Sequence, residues 1–526
     1  MVACRVLCFQ VLKISATCIQ ANRYLRWKKF FRLDEGSNSG MTTKTESVVG
    51  VFGIGLAAYW LQFDGLKQRL IGYQEEVELK LMALGARVVS AGLVDTAPAA
   101  QIASNVFARE RVDLIVCYVG TYSTSSQVLP VVQRNKAPVL VLNLQPGPTL
   151  NYAETDTGEW LANCCACCVP EISNAFARSG ITFNVVSGLL FPASGSANRY
   201  YEQAWKEIGE WVRAASVMRH LNSSRVGFLG HTYPGMLDMY SDFTMHHAQL
   251  GLHVEILEID DLQRCVDKVT NAEIDAKVAE IRRTFEILGS GTESDSKLAR
   301  SDALVWSARV ACGLDRIATD HSLNGLAYYY RGLDGNQNEL LGASLIVGNS
   351  LLTARGIPAA GEGDLKTCIA MMIMDRLNAG GSFTEFYAMD FNEDFVLMGH
   401  DGPGHVAISD GVPVLRELDV YHGKRGNGLS VEFKVKYGPI TILGLTQTSE
   451  GRLKLLVAEG ESKPGPTLKI GNTNSRISFS LDPAEFLNRW SEAGATHHCA
   501  LGMGQHSGSI KKLARLLNLE LVVIGK

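Results

Sequence analysis

Cysteine is scarce: there are 12 in 526 residues, and Cys4, Cys8 and Cys18 fall within the first forty positions. That density excludes the disulfide framework of a small secreted domain and leaves reduced thiols in a cytoplasmic compartment as the expectation. Long apolar runs are missing too. No uninterrupted stretch approaches the roughly 20 residues of a membrane-spanning helix, so no membrane partner is expected. Charge of one sign is also lacking. Lys and Arg total 50 against 54 Asp and Glu, for a net charge of −4. Nucleic acid and anionic membrane surfaces, which demand a basic footprint, are therefore not expected as partners. No segment recurs at a fixed period, which excludes solenoids and propellers. What is present, 46% hydrophobic and 20% charged residues, excludes wholesale disorder. The length corresponds to about three domains.

The first 45 residues stand apart. Arg5, Lys13, Arg23, Arg26, Lys28, Lys29 and Arg32 face only Asp34 and Glu35 up to Gly40. Basic, acid-poor composition is shared with organelle transit peptides. The plainer reading, an upstream extension outside the fold with Met41 as a possible functional start, is preferred. Residues 1–45 are accordingly set aside.

From Val48 onward strands alternate with helices. Val48–Phe52, Arg87–Ser90, Leu114–Val119 and Pro138–Leu144 read as strands, and Leu66–Leu84, Ala99–Arg109 and Ser126–Arg134 as helices. Such alternation implies a parallel sheet covered on both faces. A second unit of the same kind starts near Arg225, with strands Val226–Leu229 and Val254–Ile259 and helices Ala272–Ile287 and Ser294–Cys312. The last third changes character. Phe383–Phe391, Asp394–Gly399, Ser430–Lys436, Ile440–Gln447 and Leu453–Glu459 are short strands between turns, an antiparallel barrel-like pattern. A helix opens at Asp482-Pro483 and stops at Gly494, and a further helix and strand close the chain. The expected architecture is α/β: an N-terminal Rossmann-like domain (46–222), a central one (223–380) and a β-rich C-terminal domain (381–526).

Two motifs call for restraint. Gly53-Ile54-Gly55-Leu56-Ala57-Ala58 follows a strand and matches a dinucleotide fingerprint. A nucleotide fold also needs a helix opening at once and an acid closing the next strand. The helix begins later, and the next strand reads as ending Val89-Ser90-Ala91-Gly92 without an acid. The alternative is a ligand-facing loop in which Tyr59, Trp60 and Gln62 contact a sugar, with simple aromatic packing equally open. Cys164-Cys165-Ala166-Cys167-Cys168 holds two C-x-x-C spacings, but no second ligand pair lies nearby. Core packing is the preferred reading there, within a helical stretch Glu159–Arg178 broken near Pro170.

The strongest constellation lies later. In Gly361-Glu362-Gly363-Asp364, Asp364 can cap the helix that follows. Glu362, between two glycines, has no capping role and projects its carboxylate. Glu385 and His400 stand symmetrically about Asn392-Glu393. A hairpin turning there would place them opposite each other, with Cβ atoms roughly 5 Å apart. His497-His498 follow the Gly494 stop. Paired carboxylates with one or two histidines at element ends form an oxygen and nitrogen donor set suited to Mn²⁺, Mg²⁺ or Co²⁺. His231, Tyr233 and Asp238, after the second unit's first strand, are weaker pocket candidates. His321 reads as a surface histidine.

At Gly361–Thr367, Phe383-Thr384-Glu385, Gly399-His400 and Gly494–His498 the chain resembles the L-arabinose isomerase family, in domain order over about Val48–Lys526. The resemblance implies two Rossmann-like domains followed by a β-rich domain, in homotrimers or homohexamers with active sites at subunit interfaces. It implies divalent-metal ligands Glu362, Glu385, His400 and His498, with Mn²⁺ foremost and Co²⁺ or Mg²⁺ as alternatives. It further implies His497 beside the substrate. Glu362 and Glu385 are expected to carry the acid–base chemistry of aldose–ketose interconversion through a cis-enediol. Asp364 is expected to orient a ligand or a substrate hydroxyl, and Tyr59 to line the sugar pocket. Two loops depart from the family: Leu56-Ala57-Ala58-Tyr59 replaces Gln-His-Leu-Tyr, and Asp401-Gly402-Pro403-Gly404-His405 follows His400. The substrate is therefore expected only as a monosaccharide, a pentose or a (6-deoxy)hexose. A sugar-binding protein without turnover and a dinucleotide-dependent oxidoreductase are the competing readings.

Overall fold

The computed structural model describes residues 46–287, 301–331, 336, 338–419, 427–468 and 470–525. The extension expected over 1–45 lies outside the described residues. Contacts divide the chain into two compact units, Glu46–Val212 and Arg213–Lys526. The expected boundary at 380/381 lies within the second of these.

The first unit is a doubly wound sheet. Its strands are β1 (Ser47–Ile54), β2 (Ala86–Val94), β3 (Leu114–Tyr118), β4 (Val139–Gln145) and β5 (Phe183–Leu189). They pair in the order β2-β1-β3-β4-β5, every pair parallel. β1 and β3 are buried throughout, as their unbroken aliphatic runs require of strands covered on both faces. Helices α1 (Leu66–Ala83), α2 (Ala97–Glu110) and α3 (Ser125–Gln133) fall close to their expected limits. Residues 159–178 form two helices, Thr157–Leu161 and Val169–Arg178. The break precedes Pro170, which occupies the first turn of the second helix, where its missing N–H costs nothing.

Of the two grounds against the dinucleotide reading, the late helix holds, since α1 opens only at Leu66, and the missing acid does not. β2 runs on to Val94, so an acid, Asp95, does close it. Its carboxylate, however, accepts from Trp60 Nε1 (2.8 Å) and Lys67 Nζ (3.0 Å). Gly53 N donates to Gln74 Oε1 (3.0 Å), and a Cβ on Gly53 would strike that oxygen at 2.4 Å. The fingerprint glycine thus clears a path for α1, and the backbone that would cradle a pyrophosphate is already bonded. Cys164, Cys165 and Cys168 are buried, with Cys165 Sγ against the carbonyls of Gly120 and Leu144. Burial pushes the Cys165 thiol up to about 12. These three take the packing role expected of the run, while Cys167 is exposed.

The second unit opens with a four-stranded parallel sheet. It contains β6 (Arg225–Gly230), β7 (His253–Leu257), β9 (Gly325–Tyr329) and β10 (Ala359–Ala360), in the order β10-β9-β6-β7. A small sheet pairs β8 (Glu286–Ile287) with β13 (Val414–Asp419) and β14 (Asn427–Glu432). The long helices observed here are Asn271–Thr284 and Ser301–Asp320; the expected stretch 294–300 lies outside the described residues.

The remaining strands are β11 (Gly380–Asp390), β12 (Phe395–His400), β15 (Gly438–Gln447), β16 (Leu453–Lys463), β17 (Thr473–Phe479), β18 (Cys499–Met503) and β19 (Glu520–Ile524). Antiparallel pairing runs β15-β18-β11-β12-β17-β16, and β16 returns to β15. The result is a closed six-stranded barrel, with β19 added in parallel outside β16. The architecture is therefore the expected one: parallel-sheet α/β followed by an antiparallel barrel. Helix α4 (Leu365–Arg376) packs on β9 and β10 on one side and on β11, β15 and β18 on the other. Its residues from Leu365 to Met374 are all buried, which is why it carries apolar side chains around its whole circumference.

A cofactor bound at a hundred times its Kd adds about 2.7 kcal/mol of stability. Millimolar NAD⁺ or NADP⁺ is expected to leave the melting temperature unchanged. A rise of several degrees in a thermal-shift titration would restore the dinucleotide reading.

Candidate active site

The site lies in the second unit, where the mouth of α4 meets the middle of β11, the end of β12 and the start of β18. Glu362 occupies a single 3₁₀ turn before α4, with left-handed backbone (φ 59°). A non-glycine residue rarely adopts this conformation, and such outliers cluster at functional sites. The neighbouring Gly363 (φ 68°) explains the path: a Cβ there would lie 2.5 Å from the His231 carbonyl. The Glu362 carbonyl accepts from Tyr233 N (2.8 Å), which pins the turn to the loop after β6.

Asp364 is wholly buried. Its Oδ1 caps α4 by accepting from Thr367 N (2.9 Å), and its Oδ2 accepts from Thr367 Oγ1 (2.8 Å) and His498 Nδ1 (3.0 Å). Burial pushes this carboxyl up, but His498, Lys366 and the Thr367 N–H together carry it below the usual range. Of the two expected roles, orienting a ligand or a substrate hydroxyl, the geometry shows the first: buried Asp364 caps the helix and orients His498.

With Nδ1–H given to Asp364, His498 turns Nε2 toward His400 Nε2 (3.2 Å) and Glu362 Oε2 (3.6 Å). Two bare lone pairs at that separation repel, so a proton or a cation must stand between the rings. Gly402 N donates to His400 Nδ1 (2.7 Å), which in the neutral ring leaves the proton on Nε2 to bridge the pair. Burial first, then His498, holds the His400 imidazole down to about 4. Phe383 lies against both rings, with centroids 4.4 and 4.3 Å away.

Glu385 arrives by a different register from the expected one. Near the turn the symmetric pairing holds, as in Asp390 with Phe395, but a bulge between Phe386 and Ala388 shifts it, and Glu385 pairs with Gly399 rather than His400. Gly399 is required there because a Cβ would meet the Thr473 carbonyl at 1.8 Å and Tyr387 at 2.8 Å. Glu385 Oε2 lies 2.5 Å from His497 Nε2. His497 N in turn donates to Asp238 Oδ2 (2.7 Å). Although burial pushes the Glu385 carboxyl up, His497, His400 and His498 together draw it below the usual range. The bond to Glu385 raises His497 above its ordinary value.

Two groups of donors are close enough to hold a metal ion: Glu362, His400 and His498, and Glu385, His497 and His498, each with ligand atoms within 4.8 Å of one another. The four expected ligands are thus gathered, but in this arrangement Glu385 sits with His497 and not with Glu362 and His400. Oxygen and imidazole donors without thiolate, with two ring nitrogens 3.2 Å apart, fit a divalent ion of the Mn²⁺, Co²⁺ or Mg²⁺ class.

Tyr59 belongs to the other unit, where its ring packs edge-on to Trp60 and Phe63. Of the weaker candidates, His231 and Tyr233 lie against Tyr329, while His321 sits 3.5 Å from Glu255, away from the cluster. Sequence reasoning missed Phe383 and Lys366. The two-residue period of β11 puts Phe383 on the same face as Glu385 and was the available signal. A lysine inside an otherwise apolar helix was the signal for the other.

A histidine raised in the folded state contributes stability fully below its unfolded value of about 6.5, and loses it as pH rises through the folded one. The lowered Glu385 contributes above about 4.3 and loses it as pH falls through its folded value. The pair is therefore at full strength between these two limits. In metal-free protein, an NMR titration is expected to place His497 above the ordinary histidine value, and Glu385→Gln to bring it back down. An unchanged midpoint in that variant would remove the pairing.

Comparison with known proteins agrees with this geometry. Residues 241–380 match the L-arabinose isomerase central domain and residues 380–520 the L-arabinose isomerase C-terminal domain. A protein of Nocardioides sp. named L-arabinose isomerase is 24% identical over 420 residues, 78% of this chain and 80% of its own length. Those of Acidothermus cellulolyticus (24%, 78% and 80%) and Clavibacter sepedonicus (23%, 82% and 84%) carry the same name. A periplasmic solute-binding protein of Actinobacillus succinogenes with bound D-allose is 10% identical, covering 63% of this chain and 92% of its own, at a TM-score of 0.17 that carries no argument. With both domain matches contiguous and in order over more than half of its length, and the expected acid and histidine motifs gathered inside them, the chain belongs to the L-arabinose isomerase family.

Proposed function

We propose that the chain is a divalent-metal-dependent aldose–ketose isomerase acting on a free monosaccharide, a pentose or a (6-deoxy)hexose. The observation that carries this reading is the gathering of Glu362, His400 and His498 within ligand distance of one another, with Glu385 and His497 beside them. The relatives are named for an isomerase of one such sugar. The two departing loops, Leu56–Tyr59 and Asp401–His405, leave the identity of the sugar to experiment.

Isomerisation moves one proton between C1 and C2 and a second between the two oxygens. Glu362, Glu385, His400 and His498 would hold a divalent ion, Mn²⁺ in preference to Co²⁺ or Mg²⁺, which would supply electrophilic polarisation of those oxygens. Glu385, kept ionised by His497, is assigned the carbon-bound proton: it takes it from C2 and returns it to C1. Glu362, fixed by its left-handed turn, moves the proton between the oxygens. His497 is the partly exposed group of the set, at 46% of its side chain, and is assigned a sugar hydroxyl as well as the orientation of Glu385. His498, held by Asp364, keeps its ring direction throughout.

Among the described residues no helix is long and apolar enough to cross a membrane. Action in the cytoplasm and assembly as a homotrimer or homohexamer are part of the same proposal. Tyr59 is kept within it as a sugar contact.

The test is a panel of pentoses, hexoses and 6-deoxyhexoses assayed with Mn²⁺. Interconversion of at least one sugar is expected, abolished by EDTA and restored by Mn²⁺. Glu362→Gln and Glu385→Gln are each expected to lower kcat on the order of 10²- to 10⁴-fold. Saturable sugar binding without turnover would make the protein a binder instead. Near-normal turnover in either variant would remove that residue from the acid–base pair.

A further inference from the structure

Lys366 takes no part in the chemistry above, yet it is one of the most deeply buried large side chains, at 1% exposure. It stands in the first turn of α4. Its ammonium donates to the Tyr240 carbonyl (3.0 Å) and to Ser241 Oγ (3.1 Å), both uncharged. Burying an ammonium against neutral acceptors is expensive, so the position needs a reason.

The reason lies in what stands on either side. Asp364, two residues before Lys366, holds the ring of His498. Asp238, two residues before Tyr240, holds the backbone N–H of His497. The two bonds of one buried side chain therefore join the segments that support both adjacent histidines. The segment it bonds, residues 231–241, touches the site twice more: Tyr233 N donates to the Glu362 carbonyl, and the His231 carbonyl packs where a Cβ of Gly363 would be.

We propose that Lys366 is a positioning residue: it latches the 231–241 segment onto the mouth of α4, and through Asp238 sets His497 against Glu385. The latch deepens the isomerase reading, on which only its effect on turnover rests; the placement of His497 can be measured without any reaction.

Hydrogen exchange of the full chain, read by mass spectrometry, tests it. In Lys366→Met the amides of 231–241 and 495–498 are expected to exchange at least about tenfold faster, with the barrel and the parallel sheets unchanged. In the same protein kcat is expected to fall on the order of 10- to 100-fold, as for a catalytic group displaced by about 1 Å, with a smaller change in KM. Ser241→Ala, which removes one acceptor without touching the buried charge, is expected to loosen the same two segments to a lesser degree. This variant decides the matter should Lys366→Met not fold. Unchanged exchange at 495–498, or equal acceleration everywhere, would overturn the latch. If the unmodified protein interconverts no sugar in the panel, the isomerase reading fails, and the exchange data still decide the latch.

Discussion

The bond from His498 Nδ1 to Asp364 Oδ2 is the contact on which the rest of the second unit turns. Asp364 is both the cap of a fully buried helix and the orienting partner of a histidine that begins the strand on that helix's far side. Remove the histidine and a buried carboxylate loses one of its three hydrogen-bond donors. Remove the carboxylate and α4 loses its cap while the His498 ring loses its direction. Helix ending, packing and site geometry are thus three readings of one carboxyl group. It sits where two architectures meet: the parallel strands β9 and β10 on one side of α4, the barrel on the other.

Close approach is the second governing condition. Gly363 lets a carbonyl come within 2.5 Å of where its Cβ would be, and Gly399 does the same for Thr473 at 1.8 Å. Each glycine stands beside a candidate ligand, Glu362 and His400. The donors converge because the backbone beneath them is packed more closely than any side chain allows, and that rigidity is what a preorganised site requires.

Much of this was legible in the residues themselves. Continuous aliphatic runs gave away β1, β3 and β4, and Asp482-Pro483 announced its helix. Glu362, His400 and His498 were recognisable because each stands where an element ends, whereas Glu385 lies in the middle of β11. Other features were not legible, for identifiable reasons. The strands β17 and β18 are short, and each pairs with strands distant in sequence, a contribution local propensity does not carry. The bulge at Tyr387 shifts the register by one residue, so hairpin symmetry placed Glu385 opposite the wrong residue. Asp95 was overlooked because Gly92 reads as a strand end, whereas the chain passes through it in left-handed conformation (φ 69°) and pairs for two residues more. Asp364 was read correctly as a cap, but its second partner lies 134 residues away and left no local trace.

That separation has a meaning in time. A ribosome adding roughly 5–20 residues per second delivers Asp364 many seconds before the 134 residues that lead to His498. Throughout that interval α4, apolar on all sides, has neither β18 to cover it nor an imidazole to compensate its cap. The second unit cannot mature in the order in which it is made. Its central helix must wait, shielded or undocked, for nearly the last strand of the chain. Completion of the donor set therefore coincides with closure of the barrel.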